Sequence, residues 1–116
     1  MTYQTLETMV KVADDKRAQN IVALDMQGIS ILADYFVICH GASVQQVQSI
    51  AEEIKKEAQK KEIDVKRMEG YEEGKWVLLD LGNVVIHIFH EDDRQYYNLE
   101  KLWGEAPVIS LDHVLT

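Results

Sequence analysis

The chain has very few of the residues that would staple it covalently. One of its 116 residues is cysteine, so no internal disulfide can form, which fits a reducing compartment. That residue, Cys39, lies in the apolar run DYFVICHG and reads as a small buried hydrophobe. Proline occurs once, and there is no low-complexity segment, internal repeat or linker, which argues against disorder and against a second domain. No stretch approaches the roughly 18 apolar residues of a bilayer-spanning helix. The opening MTYQTLETMVKVADDKR has no apolar centre flanked by basic residues, so neither a membrane span nor a signal peptide is expected, and the expected location is cytoplasmic. Positive charge is also scarce. Twelve Lys and Arg against 20 Asp and Glu leave a net charge of −8, which disfavours tracking along a phosphate backbone, and direct DNA binding with it.

What is present is a core. Hydrophobic residues make up 47% of the chain, and a domain of this length buries about two-thirds of its unfolded surface, enough to fold without metal or disulfide. Residues 1–116 are therefore expected to form a single domain. Leu6, Met9, Val10 and Ala13 recur at helical spacing and predict an amphipathic helix over 3–18. NIVALD (20–25) reads as a strand, Met26-Gln27-Gly28 breaks it, and 29–33 is ambiguous, with a helical turn as one reading. DYFVICH (34–40) has the near-continuous apolarity of a strand buried on both faces. Gly41-Ala42 then turns the chain into a helix whose stripe is Val44, Val47, Ile50, Ala51, Ile54 and Ala58. Ser43 and Gln46 are spaced as a capping box. Ile63, Val65 and Met68 suggest a further strand. Asp92 and Gln95 suggest a short capped helix, and Ile109 and Leu111 a weak edge strand or docking arm. The order α-β-β-α-β-β-β-α predicts an α/β or α+β fold, a mixed sheet of about five strands with flanking helices. The strand–helix–strand unit from Tyr35 to Met68 is expected to be a right-handed crossover.

The most informative segment is WVLLDLGNVVIHIFHEDDRQYYNLEKLW (76–103). Gly82-Asn83 suits a two-residue turn, so Trp76–Leu81 and Val84–Phe89 are expected to pair as a hairpin. Leu81 then faces Val84, Asp80 faces Val85, Leu78 faces His87 and Trp76 faces Phe89. One side carries Val77, Leu79, Leu81, Val84, Ile86 and Ile88, all aliphatic. The other mixes Trp76, Leu78, Asp80, Val85, His87 and Phe89, a composition that reads as a contact surface rather than a second core. Asp80 has a plainer reading too, because aspartate entering a turn often bonds local backbone.

Catalytic and metal readings are weaker. His87 and His90, three apart on a strand, point to opposite faces, and the acids at 91–93 are explained by helix capping. Cys39 and Ser43 stand in no nucleophile motif. Gly41-Ala42-Ser43 between strand and helix offers backbone donors for an anion, but lacks the lysine of a P-loop and the further glycines of a dinucleotide fingerprint. No metal, cofactor or catalytic residue is assigned. The alternative function is a nucleotide-binding protein or residual nucleotidyltransferase using Ser43, Asp80 and His87. Trp76, Tyr96, Tyr97 and Trp103 are the densest aromatic grouping, the last helix folding back over the core being the plain reading of Tyr97 and Trp103.

LDMQGISILADYFVICHGASVQQVQSIAEEI and EGYEEGKWVLLDLGNVVIHIFHEDDRQYYNLEKLW, several motifs in order over most of residues 24–103, resemble the ribosomal silencing factor family, also called Iojap-like proteins. The resemblance implies a nucleotidyltransferase-like fold without transferase activity. It implies a cytoplasmic, non-enzymatic factor that binds the large ribosomal subunit through ribosomal protein L-fourteen. By the same resemblance, the factor sterically blocks joining of the small subunit and represses translation under nutrient limitation. The Gly41-Ala42-Ser43 turn matches the superfamily's glycine-serine element, but the paired catalytic carboxylates are missing: Asp80 precedes Leu81-Gly82 and Asp64 precedes Val65-Lys66. An acidic chain reaches a ribonucleoprotein through its basic protein component. The expected contact is Trp76, Leu78 and Val85 at its centre, with Asp80 and His87 on the same face and Glu69 and Glu100 as electrostatic support. Homodimerisation through that face is a second state expected off the ribosome.

Overall fold

The computed structural model describes residues 2–31, 33–93, 106–111 and 114. Helix α1 (Thr2–Asp15) buries Leu6, Met9, Val10 and Ala13, the stripe read from their spacing. Helix α2 (Val44–Lys60) buries Val47, Ile50, Ala51, Ile54 and Ala58, while Val44 stays half-buried. Both helices lie on one face of a sheet built from β1 (Gln19–Asp25), β2 (Tyr35–Gly41), β3 (Arg67–Glu69), β4 (Trp76–Asp80), β5 (Val84–His90) and β6 (Val108–Ile109). The strand order is β3-β4-β5-β2-β1-β6, six strands where about five were expected, the sixth being the tail pairing with β1.

The sheet is mixed. β2 runs parallel to β5, and β1–β2, β1–β6, β3–β4 and β4–β5 are antiparallel. Those pairings make β3 parallel to β2, so α2 is a crossover that passes over β5 and β4 before the chain re-enters at the sheet edge. The hairpin has the register its turn predicts, Trp76↔Phe89, Leu78↔His87 and Asp80↔Val85, with Gly82 at φ +93 supplying the left-handed turn residue. Val77, Leu79, Leu81, Val84, Ile86 and Ile88 all enter the helix-covered core with Val37, Cys39 and Ala23. Each fully buried aliphatic side chain there contributes about 1.5–3 kcal/mol by leaving water.

Two local expectations change. The segment after β1 is a turn and not helix: Ile29 and Ser30 both donate to the Met26 carbonyl, with Gly28 at φ +84. After β5 a helical turn begins at residue 91, where His90 acts as the cap, its Nδ1 accepting from the Asp92 N–H at 3.3 Å. Asp92 is thus inside the turn. Gln95, Tyr96, Tyr97, Glu100 and Trp103 lie outside the described residues.

The far face of the sheet holds a second apolar cluster of Leu24, Met26, Ile38, Phe89 and Ala106, with Val22, Phe36 and Trp76 packed against it. This corrects the expectation of a contact surface without a core: alternation fixes which side a residue faces, but a partner from another strand decides whether it is covered.

Candidate functional site

Three side-chain rows cross the far face. Trp76 sits beside Phe89 and His40, Leu78 beside His87, Ile38 and Val22, and Asp80 beside Val85, Phe36 and Leu24. Leu24, Ile38, His40, His87 and Phe89 in these rows are buried, while Phe36 and Val22 are half-buried. At the β4 end, Trp76, Leu78, Asp80 and Val85 are only half-buried, and Glu69 on β3 is exposed.

His87 is the exception among the expected contact residues. Only 3% of it is exposed, so the expectation that it belongs to the open surface is corrected. Its ring is covered by Phe36, edge-on at 4.9 Å, and by Trp76 at 6.0 Å. The Trp76 indole Nε1–H donates to His87 Nδ1 at 3.1 Å, which requires a neutral ring, and burial lowers the His87 pKa from 6.5 to about 4. With Phe89 stacked on the indole at 5.1 Å, His87 positions Trp76 from beneath.

This has a consequence for acid stability. The folded pKa is the lower one, so the full stability of the neutral buried ring is present above pH 6.5 and is lost as pH falls toward 4, where the unfolded chain takes up a proton the native one refuses. Between those limits the wild type is expected to lose roughly 3 kcal/mol more than His87→Gln, whose amide can still accept the indole N–H. Urea denaturation of both proteins across that range checks it; parallel curves would show that His87 does not titrate this way.

Asp80 follows its plainer reading. Its Oδ1 accepts the Gly82 N–H at 2.8 Å and its Oδ2 lies 3.5 Å from Arg67 Nε. Arg67 also reaches Glu69 at 3.0 Å, so one guanidinium serves both carboxylates. Glu100 lies outside the described residues.

Beside the β4 edge is a groove of about 380 Å³ lined by Glu69, Gly70, Glu73, Lys75, Trp76, Leu78 and Asp93. Glu73, Lys75 and Asp93 were not anticipated as site residues. For Glu73 and Lys75 the signal was the glycine-bracketed acidic loop GYEEG followed by Lys75 just before Trp76, which the fold brings back against the strand it precedes, whereas Asp93 comes from the turn after β5. Gly70 makes that return possible. Its φ is +78, and a Cβ there would stand 2.0 Å from the Trp76 carbonyl oxygen.

The Gly41-Ala42-Ser43 turn is filled from within. Ser43 Oγ accepts the Gln46 N–H, while Gln46 Oε1 accepts the Ala42 N–H at 2.7 Å, one residue earlier than in a standard capping box. Gln46 Nε2 donates to the Arg17 carbonyl at 2.9 Å, tying the α1–β1 connection to the start of α2. Two of the donors an anion would use there, the Ala42 and Gln46 N–H groups, are engaged by the chain's own side chains. Among the described residues no group of three or more His, Cys, Asp or Glu could hold a metal ion. None of the helices there is long and apolar enough to cross a membrane.

Comparison with known proteins places this geometry. The family described as "Ribosomal silencing factor during starvation" matches residues 1–116. The chain belongs to the ribosomal silencing factor family. It is 61% identical over 107 residues to the ribosomal silencing factor RsfS of Bacillus subtilis, covering 92% of this chain and 91% of that one. It is 57% identical over 113 residues to RsfS of Halalkalibacterium halodurans, covering 97% of each. The Iojap-related mitochondrial protein of Arabidopsis thaliana is 32% identical over 105 residues, 86% of this chain and 56% of that protein. A crystal structure of a Bacillus halodurans protein superposes with a TM-score of 0.85 at 55% identity, covering 94% of this chain and 99% of that one. For a Chromobacterium violaceum protein the TM-score is 0.87 at 29% identity, with 90% and 87% covered.

Proposed function

We propose that this member of the ribosomal silencing factor family acts in the cytoplasm as a translation repressor. It docks on the large ribosomal subunit through ribosomal protein L-fourteen and sterically blocks joining of the small subunit when nutrients are limiting. The observation that carries the reading is the half-buried β4 face, where Trp76, Leu78 and Val85 form an apolar centre rimmed by carboxylates. An aromatic anchor inside a polar rim is the anatomy of an interface hot spot. The net charge of −8 favours encounter with basic ribosomal protein over bare RNA.

In this reading Trp76 and Leu78 are desolvated on docking. His87 keeps the indole in place. Asp80 and Glu69 contribute at the rim, partly offset by Arg67, and Glu100 is proposed as further electrostatic support. The protein works by occupying a surface and transforms no substrate. A homodimer closed over the same face would have to open before docking, and light scattering at falling protein concentration detects it.

Sucrose-gradient sedimentation with separated subunits tests the proposal. The protein is expected to travel with large subunits, not with small ones, and to lower the yield of joined ribosomes when added first. Sedimentation with neither subunit, or unimpaired joining at saturating protein, would refute it.

A further inference from the structure

Resting on that docking reading, we infer that the groove beside Trp76 receives an arginine side chain of the basic partner protein, with Glu73 and Asp93 as the carboxylates that recognise its guanidinium. Of the groove's charged residues three are acidic, Glu69, Glu73 and Asp93, and one, Lys75, is basic. The three acids are not equivalent. Glu69 is held by Arg67 at 3.0 Å, as Asp80 is at 3.5 Å, so the chain's own cation already answers the two carboxylates expected to meet the partner. Glu73 and Asp93 carry no ion pair among the described residues.

The floor distinguishes arginine from lysine. The solvent-facing part of the Trp76 indole and the Leu78 side chain line the groove, offering an apolar track for an aliphatic stem. One indole face is taken by Phe89, and the Nε1–H is committed to His87, so the ring is held in place before a ligand arrives. A guanidinium is planar, weakly hydrated and able to stack on tryptophan while donating to two carboxylates, whereas an ammonium remains a hydrated point charge. At about 380 Å³ the groove is at the small end of ligand clefts, suited to one side chain rather than a folded segment.

The test uses purified large subunits and four folded proteins: wild type, Glu73→Gln/Asp93→Asn, Asp15→Asn and Trp76→Ala, each checked by thermal melting. The double variant is expected to bind about tenfold more weakly at low salt and with a shallower salt dependence, while Asp15→Asn, at the exposed end of α1 on the helix side of the sheet, stays within about twofold of wild type. In a second arm, the Trp76 indole N–H resonance is followed during titration with N-acetylarginine amide or N-acetyllysine amide. The arginine compound is expected to shift it further, and the double variant to lose that shift. Wild-type affinity in the double variant, an Asp15→Asn loss as large as its own, or equal responses to the two amides overturns the assignment. If Trp76→Ala loses binding while the double variant keeps it, docking stands and the arginine groove falls; a wild type that does not bind large subunits removes both.

Discussion

Trp76→Ala is expected to lower affinity for the large subunit by about 2 kcal/mol or more, roughly thirtyfold, while leaving the sheet intact. The indole is half-buried, in contact with Phe89 at 5.1 Å and bonded to His87 at 3.1 Å, so docking would complete the burial of an already oriented side chain. Little ordering entropy then opposes binding, which is why a single residue can carry so much of it. Truncation also costs stability, because Phe89 and His87 lose their cover. Trp76→Phe separates the two effects: it keeps an aromatic over Phe89 but gives up the N–H, and is expected to retain more affinity than alanine. Titration of large subunits with labelled protein, read beside thermal melts, measures both. Undiminished binding by folded Trp76→Ala would remove this face from the interface.

Gly70→Ala is expected to be the most damaging conservative change, costing about 3 kcal/mol or more and lowering the melting temperature by about ten degrees or more. Two causes act together. A φ of +78 penalises any residue with a Cβ, and that Cβ would meet the Trp76 carbonyl oxygen, which is backbone and cannot rotate away. Relief requires β3 and β4 to separate at Glu69↔Leu78 or the loop to withdraw, and either movement alters the groove. The variant should therefore lose docking as well as stability, even where it remains folded. A melting temperature within a degree or two of wild type would show that the loop can adjust freely.

Much of this architecture was legible beforehand, because several of its signals are local. Gly82-Asn83 between two apolar runs specifies a turn, and a turn of two residues sets every pairing in the hairpin, down to Trp76 opposite Phe89. The stripes of α1 and α2 follow from the 3.6-residue period, and Ser43 with Gln46 marks where α2 begins. The tail strand and the turn after β1 were harder. β6 is two residues long and is recruited by β1, while residues 29–33 have no period to read.

The site divides along the same line. By itself the amino-acid order determined the family, the fold class, the hairpin register and the side of the sheet on which Trp76, Leu78, Asp80, Val85 and His87 stand, since alternation along a strand depends only on neighbours in the chain. Tertiary structure decided which of them meet solvent. His87 is buried by Phe36 from β2, Asp80 and Glu69 share Arg67 from β3, and the loop carrying Glu73 returns to Trp76 through Gly70. Burial and charge pairing depend on what another segment brings through space, and no periodicity within one strand encodes that.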